Sequence, residues 1–190
     1  MRWVLGIGAL LGAVAVAVPA ALPAGVEAAV SVPLRINAGG GEVTDSSGDR
    51  WQADRAYSSS AGWGYVEDDG VGGRAEHRQS IADTQDDAIF SSERWGMDAY
   101  WVDVTDGTYH VEILFAETYT GITGAGQRVF DVEIEGETAV SGLDVYGEAG
   151  FAAAVTREAR DVDVTDGRLE ITFSPDVEQP MIKGIAITAA

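Results

Sequence analysis

The sequence predicts an all-β protein, an antiparallel β-sandwich of jelly-roll type, preceded by a cleavable N-terminal signal peptide. Three observations carry this reading. From Tyr109 to Phe115 the side chains alternate: Tyr109, Val111, Ile113 and Phe115 face one way and His110, Glu112 and Leu114 the other, the period of a half-buried strand. Short runs rich in Val, Ile and Phe recur between Gly, Pro and Asp, the punctuation of turns. No long helical period intervenes, which favours a sandwich over a parallel sheet.

Taken in order, Leu34 to Asn37 reads as a strand that ends in Gly39-Gly40-Gly41. Asp45 to Ala75 is polar and irregular, a loop of a length that is usually functional or disordered. Ile89 to Ser92 and Tyr100 to Val104 read as short strands. Thr118 to Gly126 is a Gly/Thr-rich loop between the Tyr109 strand and a strand from Arg128 to Ile134. Leu143 to Tyr146, Ala152 to Thr156, Leu169 to Phe173 and Ile182 to Thr188 complete the strands. The string VDVTDG occurs at Val102 to Gly107 and again at Val162 to Gly167, each time before an alternating run. Asp-Gly in that position predicts two similar hairpins.

Met1 to Ala28 is a separate object. Arg2 precedes an uncharged apolar stretch from Trp3 to Val18, then Pro19, Pro23 and Gly25 break it, and Val26-Glu27-Ala28 forms a small-x-Ala pattern. This predicts a secretory signal peptide over residues 1–28 and a mature domain over 29–190, secreted or at the cell surface. An uncleaved anchor is the alternative, since Trp3 to Ala24 approaches the length of a membrane span. No later apolar stretch is long enough to span a bilayer.

The mature region has room for a real core. The chain lacks Cys, which excludes disulfides and thiolate chemistry, and His77 and His110 are its two histidines. Neither sits in a metal-binding pattern; His77 falls in a charged loop and His110 on the solvated face of a strand. The net charge is −19, from 31 acidic against 12 basic residues, and Lys183 is the single lysine. Such a surface repels nucleic acid and anionic lipid. It also predicts adaptation to a salty medium, where screening relieves self-repulsion.

Aromatic residues are the candidate ligand contacts, because a ring can cover the apolar C–H face of a sugar while polar neighbours bind its hydroxyls. Trp63 and Tyr65 lie in the Gly-rich segment AGWGY, Trp95 follows Glu93-Arg94, and Tyr119 lies on the Thr118 to Gly126 loop. Trp51, Tyr109, Phe115, Phe130 and Phe173 read as core.

The strings TQDDAIFSSERWG, LFAETY, GQRVFDV and GLDVYGEAG occur in one order, after RINAGG and before PMIKGIAI. Together they resemble the malectin domain, a carbohydrate-binding β-sandwich, over Leu34 to Thr188. The resemblance implies a glucose-containing oligosaccharide as ligand, and the acidic surface a neutral one. The binding residues that the resemblance implies are Trp95, Tyr119, either Trp63 or Tyr65, and Glu178, with Asp176 as the alternative acid. Thr120 stands where the family's animal lectin carries a second aromatic. No cofactor is implied, and a glycosidase or surface protein could be a partner.

Glu93 and Glu117 are the best-placed carboxylates for a glycosidase pair, but the resemblance implies binding rather than hydrolysis. Asp45 with Asp49, and Asp83 to Asp87, could hold calcium; neither fits the EF-hand spacing, and solvated acidic loops are the simpler reading. The Gly-rich strings lack the Lys-Ser/Thr of a phosphate loop. The competing function is a surface module that keeps the fold and binds another protein. Convergence of Trp95, Tyr119 and Trp63 or Tyr65 on one patch would favour the sugar.

Overall fold

The Tyr109 alternation becomes a long strand at the middle of the molecule. The computed structural model describes residues 29–68 and 70–190, so the signal-peptide reading of residues 1–28 lies outside the described residues. In chain order the elements are β1 (Leu34–Asn37), β2 (Val43–Thr44), β3 (Arg50–Ala53), β4 (Trp63–Val66), β5 (Gly73–Glu76), α1 (Asp87–Phe90), β6 (Ser92–Trp95) and β7 (Ala99–Asp103). There follow β8 (Gly107–Phe115), β9 (Val129–Ile134), β10 (Glu137–Leu143), α2 (Val145–Ala149), β11 (Val155–Val164), β12 (Arg168–Val177), β13 (Met181–Ile182) and β14 (Gly184–Ala189).

Two large sheets enclose one core. One has the order β11-β8-β14-β1-β3-β2 and the other β10-β9-β12-β7-β4. Tyr109, Val111, Ile113 and Phe115 point inward from the first, and Phe130, Val132, Tyr100, Val102, Leu169, Ile171 and Phe173 from the second. Phe115 and Phe130 meet across the gap with ring centroids 5.9 Å apart. Such a pair adds about 0.5–1.5 kcal/mol beyond its buried area. The pairing is antiparallel apart from β1 with β3, which run parallel.

The outer face of the first sheet is not left to water. Leu114 faces outward, yet it is buried with Trp51, Ile81, Ile89 and Phe90 in a second, smaller cluster. Helix α1 therefore replaces most of the strand expected at Ile89 to Ser92, because Ile89 and Phe90 must point at this face. Trp51 is core, as expected, and its indole N–H donates to Asp45 Oδ2 at 2.9 Å.

Other expectations change. The polar segment from Asp45 to Ala75 contains β3, β4 and β5, which are too short for their alternation to stand out. The region expected as strand Leu143 to Tyr146 ends β10 and begins α2, where the Asp144 carboxylate accepts from Gly147 N–H. The two VDVTDG copies do not form hairpins. The first carries the chain from β7 in one sheet to β8 in the other, and the second returns it from β11 to β12. Val104 and Val164 are buried at these crossings, so the chain folds over the end of the core instead of pairing back on itself. The copies lie side by side, with Val104 N–H donating to Gly167 O at 3.0 Å.

A third, small sheet of order β13-β6-β5 completes the fold. Its strand β6 carries the candidate site.

Candidate functional site

Alternation within β6 sets the site. Side chains two apart share a face of a strand, so Glu93 and Trp95 point together and Ser92 and Arg94 point away. Glu93, Trp95, Tyr119, Arg128, Glu178 and Ala75 line a cleft of about 290 Å³. Three of the residues expected from sequence thus come together: Trp95 from β6, Tyr119 from the loop after β8, and Glu178 from the bend after β12. Glu178 occupies the left-handed backbone region at φ 60° and is exposed at the cleft, whereas Asp176 does not line it.

Trp63 and Tyr65 do not join them. Trp63 is 6% exposed and packs in the main core, with the Arg55 guanidinium 4.4 Å from its ring centroid. Tyr65 is half-buried on the far side of β6, where Arg94 sits 3.7 Å from its ring centroid and binds Asp54. The reason is pairing: β4 is hydrogen-bonded to β7 as an edge strand of a large sheet, so AGWGY is a strand and not a ligand loop.

Both aromatic rings of the cleft rest against glycine. A Cβ on Gly73 would lie 2.9 Å from Trp95 Cζ2, and one on Gly121 would lie 2.4 Å from Tyr119 Cε1. Each ring therefore occupies space that any larger residue would contest. Tyr119 remains 51% exposed. Its loop is tied down: Ile122 is buried, Thr123 N–H donates to Gln127 Oε1, and Gly126 N–H donates to Asp144 Oδ2.

Behind the rings lies a buried charged network. The Lys183 ammonium donates to Glu93 Oε2 at 2.8 Å and to Thr118 Oγ1, and the Thr118 hydroxyl donates to the same Glu93 oxygen at 2.9 Å. His77 Nε2 lies 3.2 Å from Glu93 Oε2 without forming a well-aligned hydrogen bond. Next to this group, Glu117 Oε1 accepts from Tyr119 N–H at 2.9 Å, and Arg128 Nη1 pairs with Glu117 Oε2 at 3.2 Å. The network thus holds Glu117 and Thr118, the two residues that precede Tyr119.

Burial raises the Glu93 pKa, but His77 and the Lys183 charge outweigh it, and the carboxyl is held at about 2. Burial lowers the Lys183 pKa, and Glu93 opposes this only in part. The partners differ because Glu93 has two donors and His77 close by, while Lys183 is fully enclosed. Burial raises the Glu117 pKa against the pull of Arg128.

A cleft walled by two rings, with carboxylates at floor and rim, sits in a two-sheet all-β domain. The malectin domain profile matches residues 32–185. This chain belongs to the malectin domain family. Over 108 residues it is 28% identical to Malectin-A of Xenopus laevis, covering 53% of this chain and 38% of that protein. Over 159 residues it is 27% identical to Malectin of Danio rerio, covering 78% of this chain and 52% of that protein. The chain therefore matches about half or less of the length of these relatives.

Among solved structures, this malectin domain resembles part of the β-glucuronidase of Bacteroides uniformis, with TM-score 0.74, 23% identity, and coverage of 83% of this chain and 18% of that one. It also resembles the ANXUR1 extracellular domain of Arabidopsis thaliana, with TM-score 0.67, 17% identity, and coverage of 82% and 47%. At these identities the likeness is one of fold.

In this malectin domain, sequence reasoning passed over Arg128, which lines the cleft, and Lys183, which lies behind it. A signal was present for each. Lys183 is the single lysine and stands between Met181-Ile182 and Gly184-Ile185, while Arg128 opens the apolar strand Val129–Ile134. An isolated cation in apolar sequence points to a buried partner. Among the described residues no group of His, Cys, Asp and Glu is arranged to hold a metal ion.

Proposed function

We propose that this malectin domain is a secreted carbohydrate-binding module for a neutral, glucose-containing oligosaccharide, held between Trp95 and Tyr119 with Glu178 accepting from its hydroxyls. The observation that carries the reading is the convergence of two rings, from separate segments, on one cleft edged by a carboxylate. Rings of this kind cover the apolar faces of a sugar. Glucose is what the family resemblance implies. A neutral ligand suits the surface, since a net charge of −19 disfavours anionic saccharides.

A binding role also fits the carboxylates better than hydrolysis does. Glu93 is held ionised by Lys183 and His77, which removes it as a general acid, and Glu117 is fully buried against Arg128. Secretion or surface display accords with the leader-like residues 1–28 and with the likeness in fold to the ANXUR1 extracellular domain. A second reading, protein binding, draws on the exposed Phe151 and on Thr120, Ile122, Thr123 and Tyr146, which line a shallow depression beside the Tyr119 loop.

A glycan array probed at high salt tests the function, followed by calorimetric titration of the best ligand. Binding of neutral glucans that is lost in Trp95→Ala and Tyr119→Ala is the expected result. Absence of any neutral glycan ligand across salt concentrations would transfer the cleft to the protein-binding reading.

A further inference from the structure

We infer that Glu93 and Arg128 form a paired acceptor and donor on the floor of the cleft and make it selective for a sugar with two neighbouring hydroxyls. The inference rests on the proposed carbohydrate-binding role of this cleft. It concerns atoms that the folded protein leaves uncommitted. Glu93 Oε2 accepts from Lys183 and Thr118 and has His77 Nε2 at 3.2 Å, whereas among the described residues no donor reaches Glu93 Oε1. Arg128 directs Nη1 at Glu117, and among the described residues no acceptor reaches its Nη2. Both residues line the cleft, although Glu93 is 2% and Arg128 5% exposed.

A charge this buried is costly unless it is hydrogen-bonded. Lys183 and Thr118 satisfy the inner oxygen of Glu93, and Glu117 pairs with Nη1 of Arg128, whose Nε is buried without a hydrogen-bond partner among the described residues. The outer half of each group faces the same space as the Trp95 and Tyr119 rings. The floor thus combines a fixed anion that can only accept with a fixed cation that can only donate. A sugar ring lying between Trp95 and Tyr119 presents hydroxyls at its edge, each able to donate and accept. One hydroxyl can donate to Glu93 Oε1 while its neighbour accepts from Arg128 Nη2. A site that relies on such bonds rejects a ligand lacking the hydroxyl, because its own buried polar groups then stay unpaired. Lys183 acts here as a positioning residue, holding Glu93 so that Oε1 faces outward.

The test uses the full mature domain and a panel of α- and β-linked glucose disaccharides, titrated by calorimetry or by ligand-observed NMR. The tightest-binding disaccharide is then compared with its monodeoxy forms on the wild type. At least two adjacent positions should each cost about ten- to a hundredfold in affinity, the range for a hydrogen bond to a charged group. In Glu93→Gln one of these penalties should shrink to about threefold or less. In Arg128→Lys, which keeps a charge for Glu117 but loses the Nη2 edge, the other should shrink similarly.

Monodeoxy forms that all bind the wild type within twofold of the parent would overturn the inference without needing any variant to fold. Penalties that persist unchanged in folded Glu93→Gln and Arg128→Lys would overturn it as well. If parent binding is unaffected by Trp95→Ala and Tyr119→Ala, or no disaccharide binds, the carbohydrate reading itself fails and the inference falls with it. Loss in the ring variants with no deoxy dependence would leave the carbohydrate reading standing and remove this one.

Discussion

Lys183 Nζ lies 2.8 Å from Glu93 Oε2, so the single lysine of the chain is buried against a carboxylate at the floor of the cleft. The two residues come from β6 and from the junction between β13 and β14, ninety positions apart. Through Thr118 the same pair reaches the loop that presents Tyr119. Site geometry and fold stability are therefore coupled at this point.

Removing the ammonium should be costly. Lys183→Met keeps the approximate shape and leaves Glu93 buried without its main counter-charge, which should destabilise the domain by about 3–5 kcal/mol. Urea unfolding measures it. The double variant Lys183→Met with Glu93→Gln should lose less than the two single losses combined, since no uncompensated charge remains. A single-variant loss below about 1 kcal/mol would show that the pair contributes little.

Acid should unfold the domain through Glu93. Its folded pKa, about 2, lies below the ordinary 4.5. A carboxyl lowered on folding contributes stability that is complete above its unfolded pKa and is lost as pH falls toward the folded one. At about 1.4 kcal/mol per pKa unit the contribution is about 3 kcal/mol, lost between about pH 4.5 and 2. Glu112, Glu117 and Glu135 are shifted the other way, chiefly by burial. Their protonation should stabilise the fold as pH falls toward the ordinary carboxylate range. Stability should hold or rise slightly there and then fall steeply between about pH 4.5 and 2, with a shallower fall in Glu93→Gln. Chemical denaturation at stepped pH gives the curve.

The two glycines under the rings offer a test of ring placement. Gly121→Ala puts a methyl where the Tyr119 ring lies, and the flexible ring should swing aside. Tyr119 is half-exposed, so stability should change by less than about 1 kcal/mol. Ligand affinity should fall toward that of Tyr119→Ala, for which stacking elsewhere suggests a loss of about 1–3 kcal/mol. Calorimetry on both variants compares them. Unchanged affinity in both would remove Tyr119 from the site.

Salt should stabilise the fold. With a net charge of −19, self-repulsion acts over a long range at low ionic strength. The Debye length falls from about 30 Å at 0.01 M to about 3 Å at 1 M. The melting temperature should climb steadily through that range of KCl. A flat or falling trend would count against adaptation to a salty medium.

The mature protein should begin near Ala29. Residues 1–28 have the short charged start, apolar run and small-x-Ala ending of a removable leader. N-terminal sequencing of exported protein checks this, and intact Met1 in a membrane fraction would establish an anchor instead.

Strand parity was legible in the sequence, because it depends on local alternation. Tyr109, Val111, Ile113 and Phe115 all face the core, whereas the strand that sets Glu93 and Trp95 on one face was expected earlier, at Ile89 to Ser92. Alternation does not say which strands pair. The Asp-Gly of VDVTDG looks the same at a hairpin and at a crossing between sheets, and burial of Val104 and Val164 by the whole core chose the crossing. Polar edge strands such as β10 leave little apolar signal, since most of its side chains are exposed. The composition by itself determined the acidic, cysteine-free character of the chain, and the ordered motifs determined the family. Only the tertiary structure decided that Trp63 and Tyr65 lie away from the cleft and that Arg128 and Lys183 stand beneath it. Those outcomes depend on contacts between residues far apart in the chain, as with Lys183 and Glu93, and such contacts are set by how the sheets pack together.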